Sequence, residues 1–214
     1  MCIRDRFGAP LIEVNPEIMP AWQFSLKRSI DIAASAIAMV VLSPVYLIIG
    51  ITVWSTSRGP MFFSQERIGK YGRPFKIIKF RSMISNAEEN GPQLSSVTDP
   101  RITPFGRWMR KTRMDELPQF WNVLKGDMSL VGPRPERQHF IDAITEQAPH
   151  YKHLHKVRPG ITSWGQVKFG YAENVDQMVR RLKYDILYIE NMSLAVDLKI
   201  IAYTVLIVLK GDGK

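Results

Sequence analysis

Ile32-Ala33-Ala34-Ser35-Ala36-Ile37-Ala38-Met39-Val40-Val41-Leu42-Ser43-Pro44-Val45-Tyr46-Leu47-Ile48-Ile49-Gly50-Ile51-Thr52-Val53-Trp54-Ser55-Thr56-Ser57 is a run of 26 residues without a charge. As one helix it would be roughly 39 Å long, more than the ~30 Å hydrocarbon core of a bilayer. Ser43-Pro44 divides it near the middle. A proline inside a helix removes a backbone donor and clashes with the preceding turn, at a cost of ~3 kcal/mol. Each half holds only 12 or 13 residues, too short to span alone. Lys27 and Arg28 precede the run, and Arg58, Arg67 and Lys70 follow it, so the positive-inside rule selects no orientation. Two readings stay open on these grounds: a kinked spanning helix, or a helix that enters one leaflet, bends and returns with Lys27 and Arg58 on one face.

The rest of the chain bounds what such an anchor carries. Its 214 residues suffice for one domain with a core plus an anchor. Apolar residues at 45% and charged residues at 23% exclude a disordered tail and a polytopic transporter. A single cysteine, Cys2, excludes a disulfide scaffold and a zinc site of several thiolates. The net charge is +9, and between Arg58 and Arg113 there are 12 basic and 4 acidic residues. A basic surface directly after an apolar run suggests a phosphate-handling face beside a membrane. The opening Met1–Arg6 reads as an appended scar, and residues 7–24 as the remnant of an upstream region.

Past the apolar run, residues 60–67 and 75–81 read as two strands of a hairpin whose loop holds Gly69, Gly72 and Pro74. With a period of two, Lys79 and Arg81 share a face, which could equally be a guarded sheet edge. Residues 82–101 read as loop. Arg107, Arg110 and Lys111 fall on one face of the next helix, with Trp108 off that face and expected in the core. Helices are expected near 137–147 and 174–191. The stretch Ile200–Leu209 is core or an interfacial helix, being too short to span.

Arg113-Met114-Asp115-Glu116-Leu117-Pro118-Gln119 is the most informative segment of the body. Asp115 suits a helix N-cap and Pro118 a first turn. Adjacent carboxylates flanked by Arg110, Lys111 and Arg113 also suit chemistry: arginines and backbone amides attract a phosphate, one carboxylate attacks phosphorus, and its neighbour holds a divalent cation. Further on, Arg134 lies between Pro133 and Pro135, which pre-position it for a carboxylate or phosphate. His150, His153 and His155, interleaved with lysines and without a cysteine, read as a solvated face rather than a metal site. No GxxxxGK[ST] or GxSxG motif is present.

Lys79-Phe80-Arg81-Ser82-Met83, Asp115-Glu116-Leu117-Pro118-Gln119, Gly126-Asp127-Met128-Ser129 and Gly132-Pro133-Arg134-Pro135 follow the broken apolar run in order. This set resembles the bacterial sugar transferase family, the monotopic polyprenyl-phosphate phosphoglycosyl transferases, over about residues 25–214. The resemblance implies transfer of a sugar-1-phosphate from a nucleotide diphosphate sugar, with UDP the expected carrier, to polyprenyl (undecaprenyl) phosphate. It makes Asp115 the nucleophile of a covalent phosphosugar intermediate and gives Glu116, with Asp115 nearby, the binding of Mg²⁺. Arg110 binds phosphate, with Lys79, Arg81 and Arg113 as further phosphate-binding candidates. Pro133, Arg134 and Pro135 line the nucleotide pocket, and Ser43-Pro44 breaks a re-entrant anchor.

The resulting expectation is an α+β fold, mainly helical with a small β-hairpin, one re-entrant helix and interfacial helices. Its organisation would be remnant 1–24, anchor 25–57 and catalytic domain 58–214 on the cytoplasmic face of the bacterial inner membrane. A homodimer and downstream glycosyltransferases are further candidate partners. Two other functional classes compete: a basic tethered module recruiting nucleic acid or anionic lipid, and a structural anchor for a polysaccharide-export assembly. Adjacent acids inside the most basic stretch oppose polyanion binding, so no nucleic-acid partner is expected. Single-step transfer, with Asp115 as base or metal ligand, is the alternative within the enzyme class.

Overall fold

The computed structural model describes residues 18–56, 59–88, 91, 93–96 and 99–211. The proposed scar and most of the proposed remnant, together with Arg58, lie outside the described residues. The apolar run forms two helices, α1 (Ala21–Val41) and α2 (Ser43–Thr56), bent by 62° at the Ser43-Pro44 break. Pro44 has no N–H for the carbonyl of Val40, four residues back. The Ser43 hydroxyl donates to that carbonyl instead, at 2.8 Å, so the bend leaves no orphaned acceptor there. Around the bend Ile37, Val40, Val41, Leu47 and Ile48 are exposed.

The two helices are tied to the body at opposite ends of the bend. On α1, Lys27 is buried, ion-pairs with Asp197 and donates to the Val131 carbonyl. Asp31 accepts from Ser129 Oγ at 2.6 Å and from Leu130 N, and Arg28 donates to the carbonyls of Val123 and Leu124. The basic flank Lys27-Arg28 that precedes the apolar run is therefore engaged with the body of the protein. Met19 is buried in the main core, so residues just before α1, set apart from the sequence as a remnant, pack with the body.

On α2, Ile49 and Val53 are buried against Phe80 and Met109, each contributing about 1.5–3 kcal/mol of apolar burial. The Tyr46 hydroxyl donates to the Leu117 carbonyl at 2.6 Å. Helix α2 thus touches the chain one residue beyond Glu116.

The hairpin read from sequence is present as β1 (Phe62–Ile68) and β2 (Pro74–Phe80), antiparallel, with Phe63 opposite Lys79. The free edge of β2 is closed by one side chain: Ile78 N donates to Asn122 Oδ1, and Asn122 Nδ2 donates to the Lys76 carbonyl. Asn122 belongs to α4 (Gln119–Lys125), which follows α3 (Pro104–Lys111). A second pair, β3 (Ser129–Val131) and β4 (Gly160–Thr162), is parallel. A Cβ on Gly160 would lie 2.1 Å from Gly132 N, so only glycine permits this approach. The pairing fixes the intervening loop, where Gly160 N donates to the Pro133 carbonyl.

Helices α5 (Gln138–Gln147), α6 (Trp164–Lys168), α7 (Val175–Glu190) and α8 (Leu194–Lys210) complete a mainly helical fold with small sheets. Ile144, Leu154, Met178, Leu182, Tyr188 and Ile200 form the centre of the main core. Ile200 is fully buried, while Val205, Leu206 and Leu209 further along α8 are exposed. Trp108 departs from expectation. It is 49% exposed and stacks on Phe105 at 5.4 Å, because Met109 occupies the buried face of α3. No single helix among the described residues is long and apolar enough to cross a membrane; the bent pair passes that test together.

Candidate active site

Asp115 and Glu116 do not cap a helix. They lie in a single 3₁₀ turn, Met114–Glu116, between α3 and α4, and α4 starts only at Gln119 with Pro118 before it and no side-chain cap. The turn exists because Arg113 takes a left-handed conformation, φ 59°, which reverses the chain after α3. Such a conformation is costly for a residue with a side chain, and such strain clusters at working sites. Both acids are buried by the turn, 7% and 5% exposed.

Their surroundings differ sharply. Glu116 accepts from Lys79 Nζ at 2.7 Å, from Arg134 at 3.4 Å and from Arg113 at 3.5 Å. Burial alone would raise its pKa, but Lys79, Arg134 and Arg113 reverse that and hold it well below the usual carboxylate range. Asp115 makes no hydrogen bond or ion pair among the described residues. Burial pushes its carboxyl up, and the Glu116 charge adds to this; Lys79, Arg110 and Arg113 oppose it from a distance. One acid is thus a fixed anion wrapped in cations, and the other is left unpaired.

Asp115 lines a cavity of about 270 Å³ between the β1–β2 hairpin, the loop around Ser82–Ser95 and the segment holding Tyr171. Among the described residues, eight basic side chains line it against three acidic ones: Arg67, Lys79, Arg81, Arg101, Arg110, Arg134, Arg137 and Arg181 against Glu88, Asp115 and Glu136. That excess suits an anionic ligand. Arg110 is held by Ser82 Oγ at 2.9 Å and Ser95 Oγ at 2.6 Å. Arg107 and Lys111, its neighbours on the helix face, are exposed to solvent instead. Lys79 and Arg81 both line the cavity, so the face they share is a cavity wall and not a solvated sheet edge.

Arg113 does not line this cavity. It lies on the other side of the turn, beside an apolar groove. Of the Pro-Arg-Pro loop only Arg134 enters the cavity, whereas Pro133 and Pro135 line a small cleft against Tyr151 and Leu154. The prolines orient the arginine and do not themselves face the cavity.

Several contributors have no local sequence signal. Tyr171 lies in a loop before α7, with Arg134 over its ring at 5.3 Å and donating to its hydroxyl, and Arg113 at 5.8 Å. Burial alone would raise its pKa, but Arg134 and Lys79 pull it below the ordinary phenol value. Glu136 accepts from Arg181 at 2.7 Å and Arg67 at 3.1 Å, fixing two cavity arginines from distant parts of the chain. The three histidines of residues 150–155 form no metal-holding group, and no cluster of three potential ligands exists among the described residues.

The family model for bacterial sugar transferases matches residues 22–211, nearly the whole described chain. The chain belongs to the bacterial sugar transferase family. Among curated members of this family, a UDP-N-acetylgalactosamine-undecaprenyl-phosphate N-acetylgalactosaminephosphotransferase of Aeromonas hydrophila is 45% identical over 194 residues, 91% of this chain and 46% of that protein. A UDP-glucose:undecaprenyl-phosphate glucose-1-phosphate transferase of Klebsiella pneumoniae is 38% identical, over 92% of this chain and 43% of its own. One of the same name from Caulobacter vibrioides is 40% identical over 212 residues, 97% of this chain and 76% of its own. The chain spans less than half the length of the first two bacterial sugar transferases.

Proposed function

We propose that this protein transfers a sugar-1-phosphate from a UDP-hexose to polyprenyl phosphate, in two half-reactions through Asp115. The observation that carries this reading is the asymmetry of the acid pair. Glu116 is neutralised by three cations, while Asp115 is unpaired at the wall of a cation-rich cavity. A carboxylate without a partner keeps its lone pairs for an electrophile. The relatives support the substrate class and differ among themselves in the sugar.

In the first half-reaction an Asp115 oxygen attacks the sugar-side phosphorus. The bond to the bridging oxygen breaks, and the nucleoside monophosphate leaves with that electron pair. Arg110, immobilised by Ser82 and Ser95, and Lys79 offset charge on the phosphoryl oxygens. In the second, an oxygen of the lipid phosphate attacks the same phosphorus and Asp115 departs as a carboxylate. The product is a polyprenyl-diphospho-sugar.

Asp115 and Glu116 would hold Mg²⁺ together with substrate phosphate and water, the mixed shell this cation favours. The fit rests on Asp115, a buried acid with no hydrogen bond or ion pair among the described residues; Glu116 would join by exchanging one of its three cations for the metal. Bound there, the cation would keep Asp115 ionised and neutralise phosphate charge. Glu116→Gln removes one ligand and breaks the three ion pairs. Turnover is expected to fall about 100-fold or more, with the Mg²⁺ concentration for half-maximal rate displaced upward. An unchanged Mg²⁺ titration would count against the metal role.

The bend at Ser43-Pro44 and the exposed apolar side chains around it support a re-entrant anchor in the bacterial inner membrane, with the cavity at headgroup depth on the cytoplasmic face. There a lipid phosphate and a soluble nucleotide sugar meet without either crossing the barrier.

The direct test is to assay purified protein in nanodiscs with polyprenyl phosphate and a panel of UDP-sugars for released UMP. Release with at least one sugar, dependent on the protein, is the expected result. Arg134→Ala is then expected to raise the KM for the nucleotide sugar about tenfold, more than that for the lipid. A change confined to the lipid would remove Arg134 from the nucleotide pocket.

A further inference from the structure

Phe63, Gln65 and Arg67 are alternate residues of β1 and face the cavity together, with Lys79 and Ile77 opposite the first two. Lys79 reaches the acid pair through Glu116. Position along β1 therefore measures distance from the chemistry, roughly 7 Å for every two residues. Gln65 is one such step from the Lys79 row and Arg67 is two. Beside Arg67 the cavity also has apolar walls. Phe140 stands one turn from Arg137 and Met178 one turn from Arg181, whose partner Glu136 also holds Arg67. Both line the cavity and both are buried.

Three polar side chains meet in this part of the cavity. Glu88 Oε1 accepts from Gln65 Nε2 at 3.0 Å and from Arg137 Nη1 at 2.9 Å. The Gln65 amide is held from behind: Arg67 Nη2 donates to its oxygen at 2.7 Å, which turns the nitrogen towards Glu88. Arg67 in turn is fixed by Glu136 and by the carbonyl of Pro135, the residue after Arg134. Glu88 Oε2 makes no hydrogen bond among the described residues, and its side chain is 38% exposed, so a ligand can reach it. An amide nitrogen carries two hydrogens and a guanidinium five N–H groups. Both donors therefore keep hydrogens beyond those spent on Glu88, and the cluster offers one acceptor between two donors.

We propose that Gln65, Glu88 and Arg137 read the base of the nucleotide sugar, Glu88 accepting from the ring N3–H of uracil while Gln65 and Arg137 donate to the carbonyls on either side. This assignment rests on the phosphosugar-transfer reading. Three observations select a base as the occupant. An edge with one N–H between two carbonyls is the complement of one acceptor between two donors. Phe140 and Met178 supply apolar surface for the flat face of a ring. The distance from the Lys79 row to Gln65 and Arg67, roughly 7–14 Å along the strand, matches the reach of one nucleoside monophosphate, so the base sits here while the sugar-side phosphorus is at Asp115. A hexose suits the cluster less well, because each of its hydroxyls both donates and accepts and needs no fixed order of partners. Cytosine is rejected outright, since its unprotonated ring nitrogen would set an acceptor against the Glu88 carboxylate.

The wild-type protein decides this without turnover. Calorimetric titration in nanodiscs is expected to show UMP binding about 30-fold more tightly than CMP, and about 30-fold more tightly than UMP methylated at N3, the loss of one hydrogen bond to a charged group in each case. Equal affinity for the three nucleotides, or no measurable binding of UMP, would overturn the assignment.

Glu88→Gln tests the named residue. A carboxamide turns either its oxygen or its nitrogen to the ring, so the preference for UMP over CMP is expected to shrink below about threefold, and the KM for the UDP-sugar to rise more than that for the lipid. An unchanged preference in a variant with wild-type melting would overturn the role of Glu88. If that variant instead shifts the relative KM of UDP-glucose and UDP-N-acetylgalactosamine, the cluster faces the sugar and the assignment fails. These outcomes differ from failure of the underlying reading, in which the wild-type protein releases no UMP from any UDP-sugar.

Discussion

Asp115→Asn protein is expected to lose turnover by at least about 1,000-fold while its melting temperature stays at or above that of the wild type. The carboxamide fits the same buried space but is a far poorer nucleophile, and groups acting directly on the reacting atom have effects of this size. The stability half follows from the raised pKa of Asp115, caused first by burial and then by the Glu116 charge. A carboxyl whose folded pKa lies above its unfolded value favours the protonated form in the fold. Its contribution is best below the unfolded pKa and is lost as pH rises through the folded pKa. Near neutral pH the ionised side chain is therefore a cost that asparagine removes. The same shift predicts that, at sub-saturating Mg²⁺, kcat/KM for the nucleotide sugar in the wild type falls on the acid side through a pKa above that of an ordinary aspartate, and that saturating Mg²⁺ moves this limb to lower pH. Calorimetry and UMP release measured on the same preparation check both halves. Activity within tenfold of wild type would remove Asp115 from the chemistry.

Replacing Ser43 and Pro44 by Ala and Leu is expected to change topology and activity together. The double variant restores a continuous uncharged helix long enough to span. A straight helix cannot keep both attachments of the bent one. Lys27 is tied to Asp197 and Asp31 to Ser129 on one side of the bend. Tyr46, Ile49 and Val53 are docked beside Leu117, Phe80 and Met109 on the other. Because Tyr46 bonds the carbonyl of Leu117, loss of the second set loosens the turn carrying Asp115 and Glu116. Turnover is expected to drop about 100-fold, and part of the population should place its N-terminal end outside. With Cys2 removed and Ala21→Cys introduced, an impermeant thiol reagent on intact cells reads this directly. The parent with an intact Ser43-Pro44 should stay unlabelled; labelling of that parent would mean the anchor spans.

What the sequence makes legible follows the range over which each signal acts. The β1–β2 hairpin is local: two apolar-rich stretches around Gly69, Gly72 and Pro74 suffice to place it. The break at Ser43-Pro44 is local too, down to the hydroxyl that replaces the missing N–H. The parallel β3–β4 pair is not, since three-residue strands carry no periodicity and their partners are 31 residues apart at Ser129 and Gly160. The acid pair is visible as a pair, but its turn is not: a left-handed Arg113 moves the start of α4 from Asp115 to Gln119. Trp108, off the basic face of α3, reads as core, yet Met109 takes the buried face. The site's arginines show the limit most clearly. Arg67 reads only as a basic residue after the apolar run and nothing local marks Arg181, yet Glu136 brings both to one cavity.

The covalent step at Asp115 is open to direct measurement. UDP-sugar labelled with ³²P in the sugar-side phosphate, mixed with the protein and no lipid phosphate, should leave label on the protein together with one released UMP per active site. Peptide mapping should place that label on Asp115, and added polyprenyl phosphate should discharge it into lipid at a rate consistent with turnover. Full turnover in the presence of lipid, with no label on the protein at any time in its absence, would contradict the account and establish single-step transfer in its place.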